Sequence, residues 1–292
     1  MPSEFLSQVK ELVRNKIKQS IGDSNLIEES MAYSALSDSK MIRAGLIFAS
    51  AKTNKNISHE SIITLSTAVE LMHTYSLIHD DLPCMDDDDL RRNQPSNHIR
   101  YGEANAVLSG DALQALAYEI ICDDKKLNSN EKVYAIKILS ESCGKNGMVL
   151  GQHLDIENEG NLENLTQEKL DDIHNLKTGR LIECSVMLGQ IGSDLGSKEK
   201  EVLKDFSRNI GLAFQIRDDI LDVIQSQEIL GKNKNSDIKN NKTTYIDIVG
   251  LDNAKEKAKN LTENALNSIN NYQIDNKDIL IDLAKYLVER KN

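Results

Sequence analysis

The chain has 292 residues, of which 39% are hydrophobic, 28% charged and 4% aromatic, with no Trp and a formal net charge of −11. This is a globular composition that excludes collagen-like, low-complexity and disulfide-scaffold classes, and its acidity suits nucleic acid poorly, so no nucleic-acid partner is expected. The prolines are Pro2, Pro83 and Pro95, leaving the last 197 residues without one, which argues against a turn-rich sandwich or barrel and for helices.

In chain order, Phe5, Val9, Leu12 and Ile17 line one predicted helix that stops near Gly22. This segment has no apolar signal core, and no run approaches the ~18 apolar residues of a membrane span, so neither export nor a span is expected. Ser58 with Glu60 opens a helix through Ile62, Leu65, Val69 and Leu77. Later starts are marked by Thr166 before QEKL, by Ser197 before KEKEVL, and by Asn253 with Glu256 three residues on, a capping-box pattern. Roughly ten to twelve helices follow from this periodicity, with no alternating strand or hairpin turn. No repeat and no Gly/Ser/Pro linker divides the chain, so one all-α domain over residues 1–292 is expected. Cys84, Cys122, Cys143 and Cys184 form no CxxC pair, which signals neither a zinc site nor a disulfide framework and fits a reducing, cytoplasmic setting.

Two segments, 80–98 and 231–245, differ from this helical background. HDDLPCMDDDDLRRNQP at 79–95 holds six aspartates and two arginines between Asp80 and Arg92. A solvated acidic loop is the plain reading, but Asp80 and Asp81 emerge from the apolar run ending in Leu77 and Ile78, where paired carboxylates are costly without a neutralising cation. Six residues span about 240° of an ideal helix, so Asp80 and Asp86 share a face only if Pro83 breaks the turn between them. In GLAFQIRDDILDVI, Leu212, Ile216, Ile220 and Val223 lie on one side and Gln215, Asp218 and Asp222 on another. Like charges at i,i+4 repel on a plain helix, and a shared hard cation such as Mg²⁺ resolves that conflict. Each cluster alone is a weak signal. Two of them, 138 residues apart in a proline-poor helical chain, suit a diphosphate held through Mg²⁺, which keeps few protein carboxylates and completes its shell with water and phosphate oxygens.

The sequence closely resembles the short-chain trans-prenyltransferases, in particular bacterial-type farnesyl diphosphate synthases. HDDLPCMDDDDLRR is similar to that family's first aspartate-rich motif with its two-residue insertion, and DDILD to the second. The likeness continues through YGEANAVLSGDALQ at 101–114, GQHLDIENEG at 151–160, LKTGRLIE at 176–183 and GLAFQIRDDILDV at 211–223. It implies an all-α bundle around a deep central cavity, a homodimer, and Mg²⁺, three ions with substrate bound. The implied reaction condenses isopentenyl diphosphate with dimethylallyl or geranyl diphosphate, mainly to farnesyl diphosphate.

By the same resemblance, Asp80 and Asp86 are expected as metal ligands with Asp81 in support, and Asp218 as the principal ligand of the second motif with Asp219 and Asp222 in support. Arg91 is implied for the allylic diphosphate, and Arg92, Lys40, Arg43 and His73 for isopentenyl diphosphate. Lys177, Thr178 and Gln215 are implied at the allylic diphosphate and developing cation, and Lys232 and Lys242 as a clamp on the leaving diphosphate. The i,i+3 spacing of Lys40 and Arg43 predicts that both heads share a helix face. Gly179 is expected to mark a helix kink. Tyr75 and Ser76, just before the first motif, are expected to limit chain length, Tyr75 favouring a C15 product. Lone residues of these types are more often core histidines, core tyrosines or solvated pairs, and the family likeness alone selects the functional reading.

Several positions depart from the family pattern: GGKRxRP stands here as DSKMIRA, with Asp38, Ser39, Met41 and Ala44 at the altered positions while Lys40 and Arg43 remain, and Leu150, Asn235 and Asn241 stand where that family commonly has Gly. Geranylgeranyl or geranyl diphosphate synthesis, a terpene cyclase, an HD-type phosphohydrolase and a non-catalytic partner subunit are the alternatives. The cyclase would not need Lys40, Arg43 and His73. The hydrolase lacks a supporting histidine pair, and the partner subunit should have lost an aspartate motif.

Overall fold

A computed structural model describes residues 2–158, 165–230 and 245–289. They group into two compact units, Met1–Ser140 with Met187–Asp194, and Glu141–Val186 with Leu195–Asn292.

The first unit is built on α1 (Pro2–Ile21), α2 (Leu26–Ala35), α3 (Ile42–Ala51), α4 (His59–Asp80), a short hairpin, α5 (Asn97–Tyr101), α6 (Glu103–Asp123) and most of α7 (Ser129–Cys143), whose last residues belong to the second unit. In α1 the buried stripe is Leu6, Val9, Val13, Ile17 and Ile21, at helical spacing. Leu12, expected inside, is 36% exposed, because its neighbour Val13 takes the inward place between Val9 and Ile17. Gly22, at φ +84, ends the helix in the left-handed region that glycine enters without steric penalty. Asn25 caps α2, its side chain accepting from the backbone N–H groups of Ile27 and Glu28.

Helix α4 is buried nearly all round, with Leu65, Val69, Leu71 and Met72 fully enclosed, as befits a helix packed against α1, α3 and α6. Ser58 caps it as predicted, its Oγ accepting from Ser61 N–H at 3.0 Å. Contrary to the sequence reading, there is a hairpin: β1 (Leu90–Arg91) pairs antiparallel with β2 (Gln94–Pro95). Its two turn residues, Arg92 and Asn93, both have positive φ, 54° and 61°, as a type I′ turn requires. Arg-Asn is not the Asn-Gly signature by which such turns are read from sequence.

The second unit contains α8 (Met148–Glu157), α9 (Gln167–His174), a π-helical turn (Asn175–Gly179), α10 (Arg180–Leu188, divided between the units), α11 (Ser197–Leu230), α12 (Tyr245–Val249), α13 (Leu251–Asn270) and α14 (Asp278–Glu289). Thr166 caps α9 and α11 starts at Ser197, both as predicted. α13 starts before Asn253, behind Gly250 at φ 80. Asn253 instead donates its side-chain amide to Val249 O at 2.7 Å, so the capping-box reading fails there. Leu212, Ile216 and Ile220 enter a core with Leu165, Leu170, Ile173, Tyr245 and Ala254. Among the described residues there are fourteen α-helices, more than expected, because short helices such as α5 and α12 leave little periodic signal.

The kink expected at Gly179 is the π-helical turn, a form in which one extra residue enters a helical turn and which recurs at functional sites. Gly151 of α8 lies against it so closely that a Cβ there would be 2.2 Å from the Lys177 backbone nitrogen. Gly151→Ala is expected to cost about 1–3 kcal/mol by overpacking, and Ser58→Ala about 1 kcal/mol by loss of the cap. Urea denaturation followed by circular dichroism measures both, and a smaller loss for Gly151→Ala than for Ser58→Ala would contradict the tight approach of α8.

Candidate active site

In the first unit the acidic segment folds back on itself. Helix α4 ends at Asp80, Met85 N–H bonds Leu82 O at 2.9 Å, and Asp86 N–H bonds Asp80 O at 2.8 Å. The break around Pro83 therefore brings Asp86 back beside Asp80, which a continued helix would not do. Both residues are half-buried. Asp81 is 2% exposed and accepts from Arg91 through Nε at 2.9 Å and through Nη2, while Arg91 also reaches Asp88 at 3.3 Å. Burial pushes the Asp81 carboxyl upward, and the Arg91 guanidinium opposes that shift. For Arg91, burial is outweighed by Asp81, and the guanidinium is held above its ordinary range.

The hairpin separates the two arginines. Arg91 is in the strand facing Asp81, whereas Arg92 occupies the turn and donates to Ser37 Oγ at 2.8 Å. Thr74, Leu77, Asp81, Arg91, Arg92 and Ser37 help to line a small cleft, partly open to solvent. His73, half-buried on α4, is held well below the usual imidazole range by burial and by the charges of Arg43, Arg92 and Arg91, and so is neutral at pH 7. Tyr75 is buried with its ring edge-on to His79 at 5.7 Å, and Ser76 Oγ donates to His73 O at 2.9 Å.

Lys40 and Arg43 do not share a helix face. Lys40 is exposed in the coil before α3, Met41 turns the chain through a left-handed conformation at φ 45, and Arg43 stands in the first helical turn. The altered stretch 38–44 starts the helix after Lys40, and a helical phase does not apply across that boundary.

The second unit assembles its polar residues from five elements, α8, α9, the π-helical turn, α11 and α12. Lys177, in the π-helical turn, donates its amine to Asp155 of α8 at 2.6 Å. Thr178 Oγ1 donates to Gln215 Oε1 at 2.8 Å, which orients the amide so that Gln215 Nε2 donates to Asp219 Oδ1 at 3.1 Å. Asp219 Oδ2 accepts from Tyr245 N–H at 2.9 Å, with His174 Nε2 at 3.4 Å. Burial alone would raise the Asp219 carboxyl, but His174, the Tyr245 N–H and Gln215 outweigh it and hold it below the ordinary range. Asp218 is half-buried on α11, and Asp222 lies one turn further along the same helix. Both Asp219 oxygens already serve protein donors. Lys232 and Lys242 lie outside the described residues.

Asp155 and Tyr245 escaped the sequence reading, although GQHLDIENEG had been marked as part of the resemblance. An acid 22 positions from its lysine has no local spacing by which to be found. Among the described residues no three His, Cys, Asp or Glu side chains gather into a self-sufficient metal centre. Two separate carboxylate groups of this kind fit Mg²⁺, which takes one or two carboxylates and fills the remaining positions with substrate oxygens and water, better than a structural metal enclosed by protein. No helix among the described residues is long and apolar enough to cross a membrane.

The chain is 40% identical over 269 residues to the farnesyl diphosphate synthase of Escherichia coli (strain K12), covering 90% of this chain and 89% of that one. It is 42% identical over 273 residues to the chloroplastic geranylgeranyl pyrophosphate synthase of Capsicum annuum, covering 93% and 73%. Among solved structures, the geranyltransferase of Helicobacter pylori complexed with magnesium and isoprenyl diphosphate matches with a TM-score of 0.83 at 31% identity, over 99% of this chain and 98% of that one. An FPP/GFPP synthase from Zymomonas mobilis matches with a TM-score of 0.85 at 31% identity, over 99% and 100%. The polyprenyl synthetase family model matches residues 24–283, and the chain belongs to that family.

Proposed function

We propose that this chain is a prenyltransferase that condenses isopentenyl diphosphate head-to-tail with dimethylallyl or geranyl diphosphate, giving mainly farnesyl diphosphate and releasing diphosphate. The observation that carries this reading is the acidic turn of the first unit, where Asp86 N–H bonds back to Asp80 O and Arg91 and Arg92 follow on one hairpin. Carboxylates for a metal and guanidiniums for phosphate thereby stand within one short segment. The likeness to a geranyltransferase complexed with magnesium and isoprenyl diphosphate supports the same assignment.

In this reading Asp80, Asp86 and Asp218 are the principal Mg²⁺ ligands for three ions, with Asp81, Asp219 and Asp222 in support. Bound Mg²⁺ supplies Lewis acidity that stabilises charge on the departing diphosphate. Arg91, Lys177, Lys232 and Lys242 bring positive charge to the same leaving group as the allylic C–O bond breaks. Asp155 keeps the Lys177 amine in place. The Thr178 hydroxyl and Gln215 amide, joined by their hydrogen bond, present dipoles to the allylic cation. Lys40, Arg43, His73 and Arg92 hold isopentenyl diphosphate, and a neutral His73 provides hydrogen bonding without another charge. The isopentenyl double bond attacks the cation, the new C–C bond forms, and a proton passes to the released diphosphate. Apolar walls keep water from capturing the cation. The single domain and the homodimer implied by the resemblance belong to the same proposal.

The 42% identity to a geranylgeranyl pyrophosphate synthase favours a C20 product as the second reading. Tyr75, buried one turn before His79, is proposed to close the cavity at C15. Labelled isopentenyl diphosphate with each allylic primer and Mg²⁺ is expected to give C15 product, and a failure to form any C10 or C15 chain would overturn the assignment. Tyr75→Ala is expected to lengthen the product to C20 or beyond; an unchanged chain-length profile would remove Tyr75 from that role. Asp80→Asn and Asp218→Asn are each expected to lower kcat/KM by about 10³-fold, ~4 kcal/mol of transition-state stabilisation, with helical circular dichroism preserved. Near-normal turnover in either variant would exclude that carboxylate as a principal ligand.

A further inference from the structure

Arg91 and Arg92 are neighbours in one hairpin but are held by different chemistry. The Arg91 guanidinium donates to the carboxylates of Asp81 and Asp88. The Arg92 guanidinium donates through Nη1 to the neutral hydroxyl of Ser37 at 2.8 Å. Both arginines and Ser37 border the same cleft of the first unit.

Ser37 is half-buried just beyond the end of α2. Its hydroxyl has one proton to give and lone pairs with which to accept. The proton goes to Ser34 O at 2.7 Å, in the last turn of α2, where carbonyls lack the helical partner that a continued helix would supply. That leaves the oxygen lone pairs to Arg92, and because a guanidinium can only donate, the direction of both bonds is fixed. The backbone here is held as well, since Arg14 of α1 donates through Nη1 to Leu36 O and to Ser37 O, the latter at 3.3 Å. Ser37 is thus tied to α1 and α2, and offers Arg92 a fixed acceptor. Arg92 itself stands in the two-residue turn of the hairpin, and a long side chain there has rotamer freedom to lose on binding. A carboxylate in place of the hydroxyl would hold the guanidinium harder but would offset the charge that a phosphate needs. A hydroxyl orients the side chain and leaves its charge in place.

We infer that Ser37 is a positioning residue for isopentenyl diphosphate, aiming the Arg92 guanidinium at that substrate's phosphates without cancelling its charge. This rests on the functional reading above, which gives Arg92 to isopentenyl diphosphate and Arg91 to the allylic diphosphate. Because the bond involves neither Arg91 nor its carboxylate partners, its loss affects one substrate and not the other.

Isothermal titration of isopentenyl diphosphate into the Mg²⁺-free full-length protein tests this without turnover, since no allylic partner is present. Ser37→Ala is expected to weaken binding by about tenfold, the scale of one lost hydrogen bond to a charged group. Ser37→Thr keeps the hydroxyl and is expected to stay within about threefold of the unsubstituted protein. Ser37→Asp keeps an acceptor but adds a negative charge beside Arg92, and is expected to bind isopentenyl diphosphate more weakly than Ser37→Ala. Geranyl diphosphate, titrated with Mg²⁺, is expected to change by less than about threefold in Ser37→Ala and Ser37→Thr. Unchanged isopentenyl diphosphate binding in Ser37→Ala, equal losses for Ser37→Thr and Ser37→Ala, tighter binding in Ser37→Asp than in Ser37→Ala, or parallel losses for both ligands would overturn the proposal. A lowered melting temperature with unchanged affinity would overturn it too, by leaving Ser37 only the end of α2 to hold. If Ser37→Ala does not fold, the comparison of Ser37→Asp with Ser37→Thr decides the question. If the unsubstituted protein binds geranyl diphosphate but not isopentenyl diphosphate, or binds neither, the functional reading falls and takes this proposal with it.

Discussion

Burying charge is the constraint to which the local structure answers. A protein that handles diphosphates must keep carboxylates and cations in semi-enclosed places while no ligand is bound, and neither sign is tolerable there alone. Each is consequently held by a protein partner of the opposite kind. Arg91 is held by Asp81 and Asp88, Lys177 by Asp155, and Asp219 by an amide, a backbone N–H and an imidazole. These partners also fix rotamers, so the groups that meet phosphate are oriented before it arrives. Such preorganisation reduces the ordering cost of binding.

The backbone serves the same end in ways that local propensity does not announce. A left-handed Met41, a two-residue turn through Arg92 and Asn93, and a π-helical insertion at Asn175–Gly179 each depart from regular geometry next to a residue assigned to substrate. Irregular backbone persists when surrounding structure over-determines it. At the π-helical turn the over-determination is steric, because Gly151 and Gly211 leave no side chain between the turn and its neighbours.

The legibility of the sequence follows from this division. Periodicity is a property of contiguous residues, so the apolar side of α11, the Ser58 and Thr166 caps and the stop at Gly22 were all readable. The break between Asp80 and Asp86 was readable too, because proline and helical angles are local facts. What escaped was set by distant residues or by unadvertised conformations: Asp155 for Lys177, Tyr245 for Asp219, and the φ values at Met41 and Arg92. Leu12 shows a third limit, since of the adjacent apolar residues Leu12 and Val13 the pattern does not say which turns inward.

The hydrogen bond from Asp86 N–H to Asp80 O closes a backbone ring whose circumference is a number of residues and not a set of side chains. Within it Pro83 breaks the helix, Cys84 faces solvent and Met85 is half-buried, so beyond the proline the segment acts as a ruler whose markings are interchangeable but whose length is not. Deleting a single residue between Leu82 and Met85 would alter the closure itself and rotate Asp86 away from Asp80.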